Sequence, residues 1–209
     1  MFIRSLTQQI LQLNNEAEVF FLKGVNQSGK TTFLKNLASL GRKYADLAEP
    51  ALRSMANEEP VLFLQRYVPP VLIDNIQYAP ELVPVIKDYV LHSGKPGDFW
   101  LIAPKEDAET ITAIMQELGD KFACLELCGL SSAELDGRES MPFIPDMQLL
   151  ASRMQNPVPH SVVEIYARIW RGSKPAMYNE GADGRHFMLS WCRIFYSVIF
   201  ANLFSLMMR

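Results

Sequence analysis

The amino-acid sequence predicts an α/β fold, a mostly parallel sheet with helices on both faces, followed by a small, mainly helical C-terminal region. Two observations predict it. Short apolar runs at residues 18–23, 71–77, 98–103 and 122–127 alternate with stretches of helical apolar spacing, the order in which a parallel sheet is built and covered. One strand-to-helix junction, Gly24-Val25-Asn26-Gln27-Ser28-Gly29-Lys30-Thr31, fills every fixed position of the pattern G-x-x-x-x-G-K-[ST].

The chain has 209 residues, 49% hydrophobic and 21% charged, enough to bury a sizeable core in one domain plus an appendage. A formal net charge of −3 leaves no basic footprint, and there is no clear nucleic-acid patch. Cys124, Cys128 and Cys192 form neither a C-x-x-C motif nor a zinc spacing, and an odd count suits a reducing compartment.

Residues 1–13 read as an amphipathic helix. They lack the apolar core and cleavage site of a secretory signal, so the expected localisation is cytoplasmic. Glu18 to Lys23 is a buried strand and Thr31 to Leu40 a helix with apolar residues at Phe33, Leu34, Leu37 and Leu40. Between them, Gly24 and Gly29 let the backbone turn tightly and approach a polyphosphate, with N–H groups and the helix N-terminus around the anion. Lys30 then pairs with the β- and γ-phosphates and the Thr31 hydroxyl ligates Mg²⁺. The fold class is therefore α/β of the P-loop NTPase type.

Residues 42–47 form a short strand, 49–56 a helix with Pro50 in its first turn, and 60–67 a second helix ended by Pro69-Pro70. Val71 to Gln77 is an apolar strand carrying Asp74, about 40 residues after the loop, where an acid reaches Mg²⁺ or its water shell. A helix at 80–91, a turn at 93–97, a strand at 98–103, a helix at 106–118 and a strand at 122–127 follow. Residues 129–135 close the first domain, 1–135. The second, 136–209, holds a Pro-rich loop with a short helix, an amphipathic helix at 161–170, and the apolar tail 187–208. The tail barely reaches the roughly 20 apolar residues of a membrane span and contains Arg193, so it is expected to be a buried or partner-covered helix open to self-association.

These blocks together resemble the prokaryotic AAA-family ATP-binding proteins, in which an N-terminal P-loop ATPase domain precedes a C-terminal domain of unknown function. The resemblance rests on Gly24 to Thr32, on Asp74 to Leu82, on Glu49-Pro50 with Arg53, and on the blocks 127–135 and 169–178. It implies ATP and Mg²⁺ as cofactors, a nucleotide and an unknown protein as partners, and Gly24, Asn26, Gln27, Ser28, Gly29, Lys30, Thr31 and Thr32 as the nucleotide-binding residues. Thr31 and Asp74 are the implied metal ligands, and Lys30 and Asn75 the catalytic positions.

The chain departs from the family in three places. Where the family has a Glu that polarises the attacking water, this chain has Asn75, whose amide cannot accept the proton. Ala103-Pro104-Lys105-Glu106 replaces a Thr-Gly-Ser-Gln block that senses the γ-phosphate, and Asp120-Lys121 replaces a Gly-Arg pair. Against the family the C-terminus also reads as shortened. The expected function is ATP binding with weak or absent hydrolysis, regulating an unknown partner. The alternatives are an active ATPase using another water-activating residue, Glu106 or Asp98, and a degenerate interaction module that no longer binds nucleotide. The guanine-reading Asn-Lys-x-Asp motif does not occur, which favours adenine.

Overall fold

The computed structural model describes residues 2–38, 41–104, 108–138, 144–155, 158–179, 189 and 192. The chain divides into two compact units, residues 1–140 and 141–209.

In chain order the first unit contains α1 (Thr7–Leu13), β1 (Val19–Gly24), α2 (Lys30–Leu37), β2 (Lys43–Asp46), α3 (Pro50–Glu58), α4 (Pro60–Arg66) and β3 (Val71–Asp74). It continues with α5 (Leu82–Ser93), β4 (Phe99–Pro104), α6 (Ala108–Leu118), β5 (Phe122–Glu126) and the short α7 (Ser132–Leu135). Among the described residues the strands form one sheet in the order β2-β3-β4-β1-β5, every pair parallel. Val19 is in register with both Phe99 and Phe122, Val71 with Phe99, and Lys43 with Val71. All five strands therefore start along one edge, and Gly24, Asp46, Asp74 and Pro104 end together along the other.

The sequence forms this sheet because β1, β3 and β4 are apolar at consecutive positions and so can be covered on both faces. Val19, Phe21, Val71, Ile73, Phe99 and Leu101 point to the face covered by α3 to α6, where Phe63, Leu82, Ile86 and Ile114 meet them. Phe20, Leu22, Leu72, Trp100 and Ile102 point to the opposite face and pack on Ile10 of α1 and on Phe33 and Leu34 of α2. Each fully buried aromatic or aliphatic side chain contributes about 1.5–3 kcal/mol, so the two layers hold the sheet ends in fixed register. The parallel sheet with helices on both faces is the expected fold.

Several boundaries move, two of them for reasons visible in the structure. The strand expected over 71–77 ends at Asp74, because Asn75 takes the left-handed conformation (φ 60°) and Ile76–Tyr78 closes a 3₁₀ turn over the buried Ile76. The first helix, expected from Met1, starts only at Thr7, because the preceding residues run into the unit to bury Arg4.

The second unit contains α8 (Met147–Met154) and α9 (Val162–Arg171). The Asp146 carboxylate caps α8 by accepting from Leu149 N–H at 2.9 Å, and Ser161 with Glu164 closes a capping box on α9. The apolar tail 187–208 lies outside the described residues, Leu189 and Cys192 apart.

Candidate nucleotide-binding site

The loop between β1 and α2 is shaped by sterics before chemistry. A Cβ on Gly24 would collide with the Leu127 backbone carbonyl, so only glycine lets the loop leave β1 against the segment after β5. Gly29 caps α2 with φ 90°, and its carbonyl accepts from Phe33 N–H at 2.9 Å. Gln27 also has positive φ, 66°. The result is a tight turn delivering the helix N-terminus to the C-terminal edge of the sheet, the arrangement that concentrates N–H donors around an anion. Lys30 opens α2 and is buried, and its ammonium donates to the carbonyls of Gly24 at 2.7 Å and Val25 at 3.0 Å.

One turn of helix positions Thr31 opposite β3, where its hydroxyl donates to Asp74 Oδ2 at 2.5 Å. Asp74 is 4% exposed and accepts further bonds from Asn75 N–H at 3.0 Å and from the Tyr44 hydroxyl at 3.3 Å. Burial is the main cause that raises the Asp74 carboxyl above its ordinary value, with the Asp46 charge adding to it; the bonds from Thr31, Asn75 and Tyr44 oppose the rise. Burial and the charges of Asp74 and Asp46 push the Tyr44 phenol up, so Tyr44 is a donor at any physiological pH. Its ring is fixed beneath the Lys35 ammonium, 3.5 Å from the ring centre.

Asn75 turns away from this cluster toward β2. Its Nδ2 donates to Asp46 Oδ1 at 2.9 Å, and its Oδ1 accepts from Gln77 Nε2 at 3.4 Å. A carboxylate can only accept, so Asp46 fixes which end of the Asn75 amide faces it. Asp46 also accepts from Ala48 N–H at 2.9 Å.

A cleft of about 240 Å³ opens between the ends of β1, β3 and β4. Of the residues expected at the site, Asn26, Gln27, Gly29, Lys30, Thr31, Thr32, Asp74 and Asn75 line it, together with Ile102 and Pro104. Gly24 and Ser28 do not; they form the back of the loop. The donor set fits a magnesium nucleotide. Among the described residues no group of three or more His, Cys, Asp or Glu side chains could cage a metal. A hydroxyl and one carboxylate, completed by phosphate and water, is the kind of oxygen set Mg²⁺ accepts. Pro104 adds no side-chain polar group at the cleft wall.

Two expectations are corrected. Asp98 precedes β4, its carboxylate accepts from Lys95 N–H at 2.8 Å, and it sits at the edge where the strands start, a full strand length from the loop. It cannot activate water at this cleft. Lys121, which stands where the resembled family has the arginine of a Gly-Arg pair, precedes β5 on that same remote edge and pairs with Glu18 at 2.6 Å. Lys105 and Glu106 lie outside the described residues, as does the Asp120 side chain.

Sequence reasoning missed Tyr44 and Asp46. Their signal was available: they alternate along a short strand whose last residue is an acid, as Asp74 is on β3. It also missed Arg4, whose guanidinium donates to the Ser28 carbonyl behind the loop at 3.1 Å, and for which no motif exists.

A family model described as an AAA domain matches residues 16–135, more than half of the chain. That span holds every loop residue and Asp74, and begins after Arg4. No protein of curated function matches the chain in sequence. Among solved structures, the chain is similar to the Walker-type ATPase PABY2304 of Pyrococcus abyssi, with a TM-score of 0.55 and 13% identity over 99% of this chain and 75% of that one. It also aligns with a structure of Drosophila ORC bound to AT-rich DNA and Cdc6, at 12% identity over 96% of this chain and 78% of that one; the TM-score of 0.38 is too low to bear on the fold. The loop, the acid ending β3 and the matched span lead to one assignment: the chain belongs to the AAA domain family, a nucleotide-binding, ATPase-type P-loop domain.

Proposed function

We propose that this chain binds ATP with Mg²⁺ at the cleft, hydrolyses it weakly or not at all, and regulates a protein partner through its occupancy. The observation that carries the reading is the 2.5 Å bond between the Thr31 hydroxyl and Asp74, at the mouth of a loop whose lysine is already buried beside the phosphate position. Mg²⁺, when bound, neutralises polyphosphate charge. Thr31 and Asp74 would hold it, the backbone of Gly29 and the N-terminus of α2 would hold phosphate, and Lys30 would pair its ammonium with the phosphate oxygens. Asn26, Gln27 and Thr32 complete the lining.

Weak hydrolysis follows from Asn75 and Pro104. The Asn75 amide takes no proton from water, and it is engaged with Asp46 rather than directed at an attacking water. Calorimetric titration of Mg-ATP and phosphate release on the same preparation, for the wild type, Lys30→Ala and Asn75→Glu, test the reading. Binding by the wild type that Lys30→Ala removes, with turnover far below about one per second, is expected. Folded wild type that takes no Mg-ATP refutes the binding claim. Turnover near one per second that Lys30→Ala abolishes refutes the weak hydrolysis.

A further inference from the structure

The back of the phosphate loop is held by a side chain that lies before the first helix. Arg4 is 6% exposed, yet its guanidinium is satisfied on several sides. Nη1 donates to the Ser28 carbonyl at 3.1 Å, Nη2 to the Cys128 carbonyl at 2.6 Å, and Nε to Glu134 Oε1 at 3.2 Å. Glu134 is as buried, and accepts from Ser5 N–H at 2.8 Å, the Ser5 hydroxyl at 3.1 Å and Ser131 N–H at 2.9 Å. Burial alone would raise its carboxyl; the N–H groups of Ser5 and Ser131 and the Arg4 charge outweigh that and hold it below its ordinary value, so Glu134 is a carboxylate at neutral pH.

Apolar residues of similar volume often replace a buried ion pair without loss of stability, so overall stability does not explain this one. Its geometry does. A trans peptide directs its C=O and its N–H to opposite sides. With the Ser28 carbonyl turned back onto Arg4, the next donor, the Gly29 N–H, is turned the other way, and Gly29 lines the cleft. Without the guanidinium, the Ser28–Gly29 peptide is free to rotate and present a carbonyl to an anion.

We propose that Arg4 is a positioning residue for phosphate binding: held by Glu134, it pins the Ser28–Gly29 peptide in its anion-accepting orientation and couples residues 2–6 and 128–134 to occupancy of the cleft. The inference rests on the reading of the cleft as a phosphate site. The coupling is reciprocal: a bound nucleotide tightens the docking of both segments by the factor by which their docking tightens nucleotide.

The test titrates Mg-ATP into the wild type, Arg4→Lys, Arg4→Ala and Glu134→Gln, and follows amide hydrogen exchange in the nucleotide-free proteins. Lysine keeps the charge but not the planar fork that reaches two carbonyls and a carboxylate at once. Arg4→Lys is expected to weaken Mg-ATP binding about tenfold, or about 1.4 kcal/mol, and to speed exchange at residues 24–31 and 128–134 while β3 and β4 stay protected. Glu134→Gln shifts both readings the same way by less. A purely structural role would lower the melting temperature and leave the affinity of the folded variants within twofold of wild type, which overturns the proposal. If the wild type takes no nucleotide, the phosphate reading falls and exchange alone decides: unchanged loop exchange in Arg4→Lys overturns the pinning, and faster loop exchange supports it. If Arg4→Ala does not fold, the Lys and Gln variants carry the comparison.

Discussion

Replacing Asn75 with glutamate would install the acid that the resembled ATP-binding proteins carry, yet the surroundings of Asn75 oppose it. Asn75 Nδ2 donates to Asp46 Oδ1 at 2.9 Å, and Asp46 stands in register with Asp74 across β2 and β3. A carboxylate at position 75 turns that donor into a second acceptor. Losing a hydrogen bond to a charged group costs about 1.5–3 kcal/mol. Two carboxylates about 4 Å apart add up to about 4 kcal/mol at an effective dielectric of about 20. Both residues are only partly buried, so screening and side-chain rotation reduce the sum to about 1–3 kcal/mol. Asp46→Asn supplies a new donor and should recover most of the loss. Urea denaturation of the wild type, both single variants and the double variant at pH 7, without nucleotide, gives the coupling energy. Expected values are a loss of about 1–3 kcal/mol for Asn75→Glu and a coupling of at least about 1 kcal/mol in favour of the double variant. A single Asn75→Glu variant as stable as wild type, with coupling under about 0.5 kcal/mol, would refute the opposition of Asp46 and position 75.

Gly24→Ala should cost about 1–3 kcal/mol in denaturant unfolding, because the added methyl meets the Leu127 carbonyl, and should abolish Mg-ATP binding by distorting the loop. Asp74 has a folded-state pKa above its ordinary 3.8, so its contribution to stability is present below that value and is lost as pH rises through the raised one. Asp74→Asn should therefore raise the melting temperature of the nucleotide-free protein at pH 7, flatten its decline above pH 4, and lose Mg²⁺-dependent nucleotide binding; a lower melting temperature across that range would contradict the sign. Lys121→Ala should leave Mg-ATP affinity within twofold of wild type and cost no more than about 1 kcal/mol, since its partly exposed pair with Glu18 lies at the far edge of the sheet.

The loop was legible because its glycines answer to local sterics: Gly24 has a carbonyl where a side chain would go, and Gly29 has positive φ. The buried strands were legible because coverage on both faces writes a continuous apolar run, as in Val71 to Asp74. Strand order was not legible, since no local pattern tells a parallel strand which neighbour it takes. That order brings Tyr44 and Asp46 of β2 beside Asp74 and sets the end of β4 between the loop and β3. Two residues were misplaced for a different reason, the end of the strand on which they stand. Asp98 and Lys121 are close in sequence to site strands, but only the C-terminal end of a parallel strand faces the loop. Arg4 was invisible because its partners, the Ser28 and Cys128 carbonyls and the Glu134 carboxylate, lie more than 20 residues away and form no local motif with it.

The lysine at the head of α2 is held by its own loop. With its ammonium shared between the Gly24 and Val25 carbonyls, the loop resembles a clasp closed on itself. On the proposed reading, a polyphosphate would compete with the two carbonyls for the ammonium. Such a clasp gives a buried ammonium two backbone oxygens as partners, which offsets the cost of taking its charge out of water.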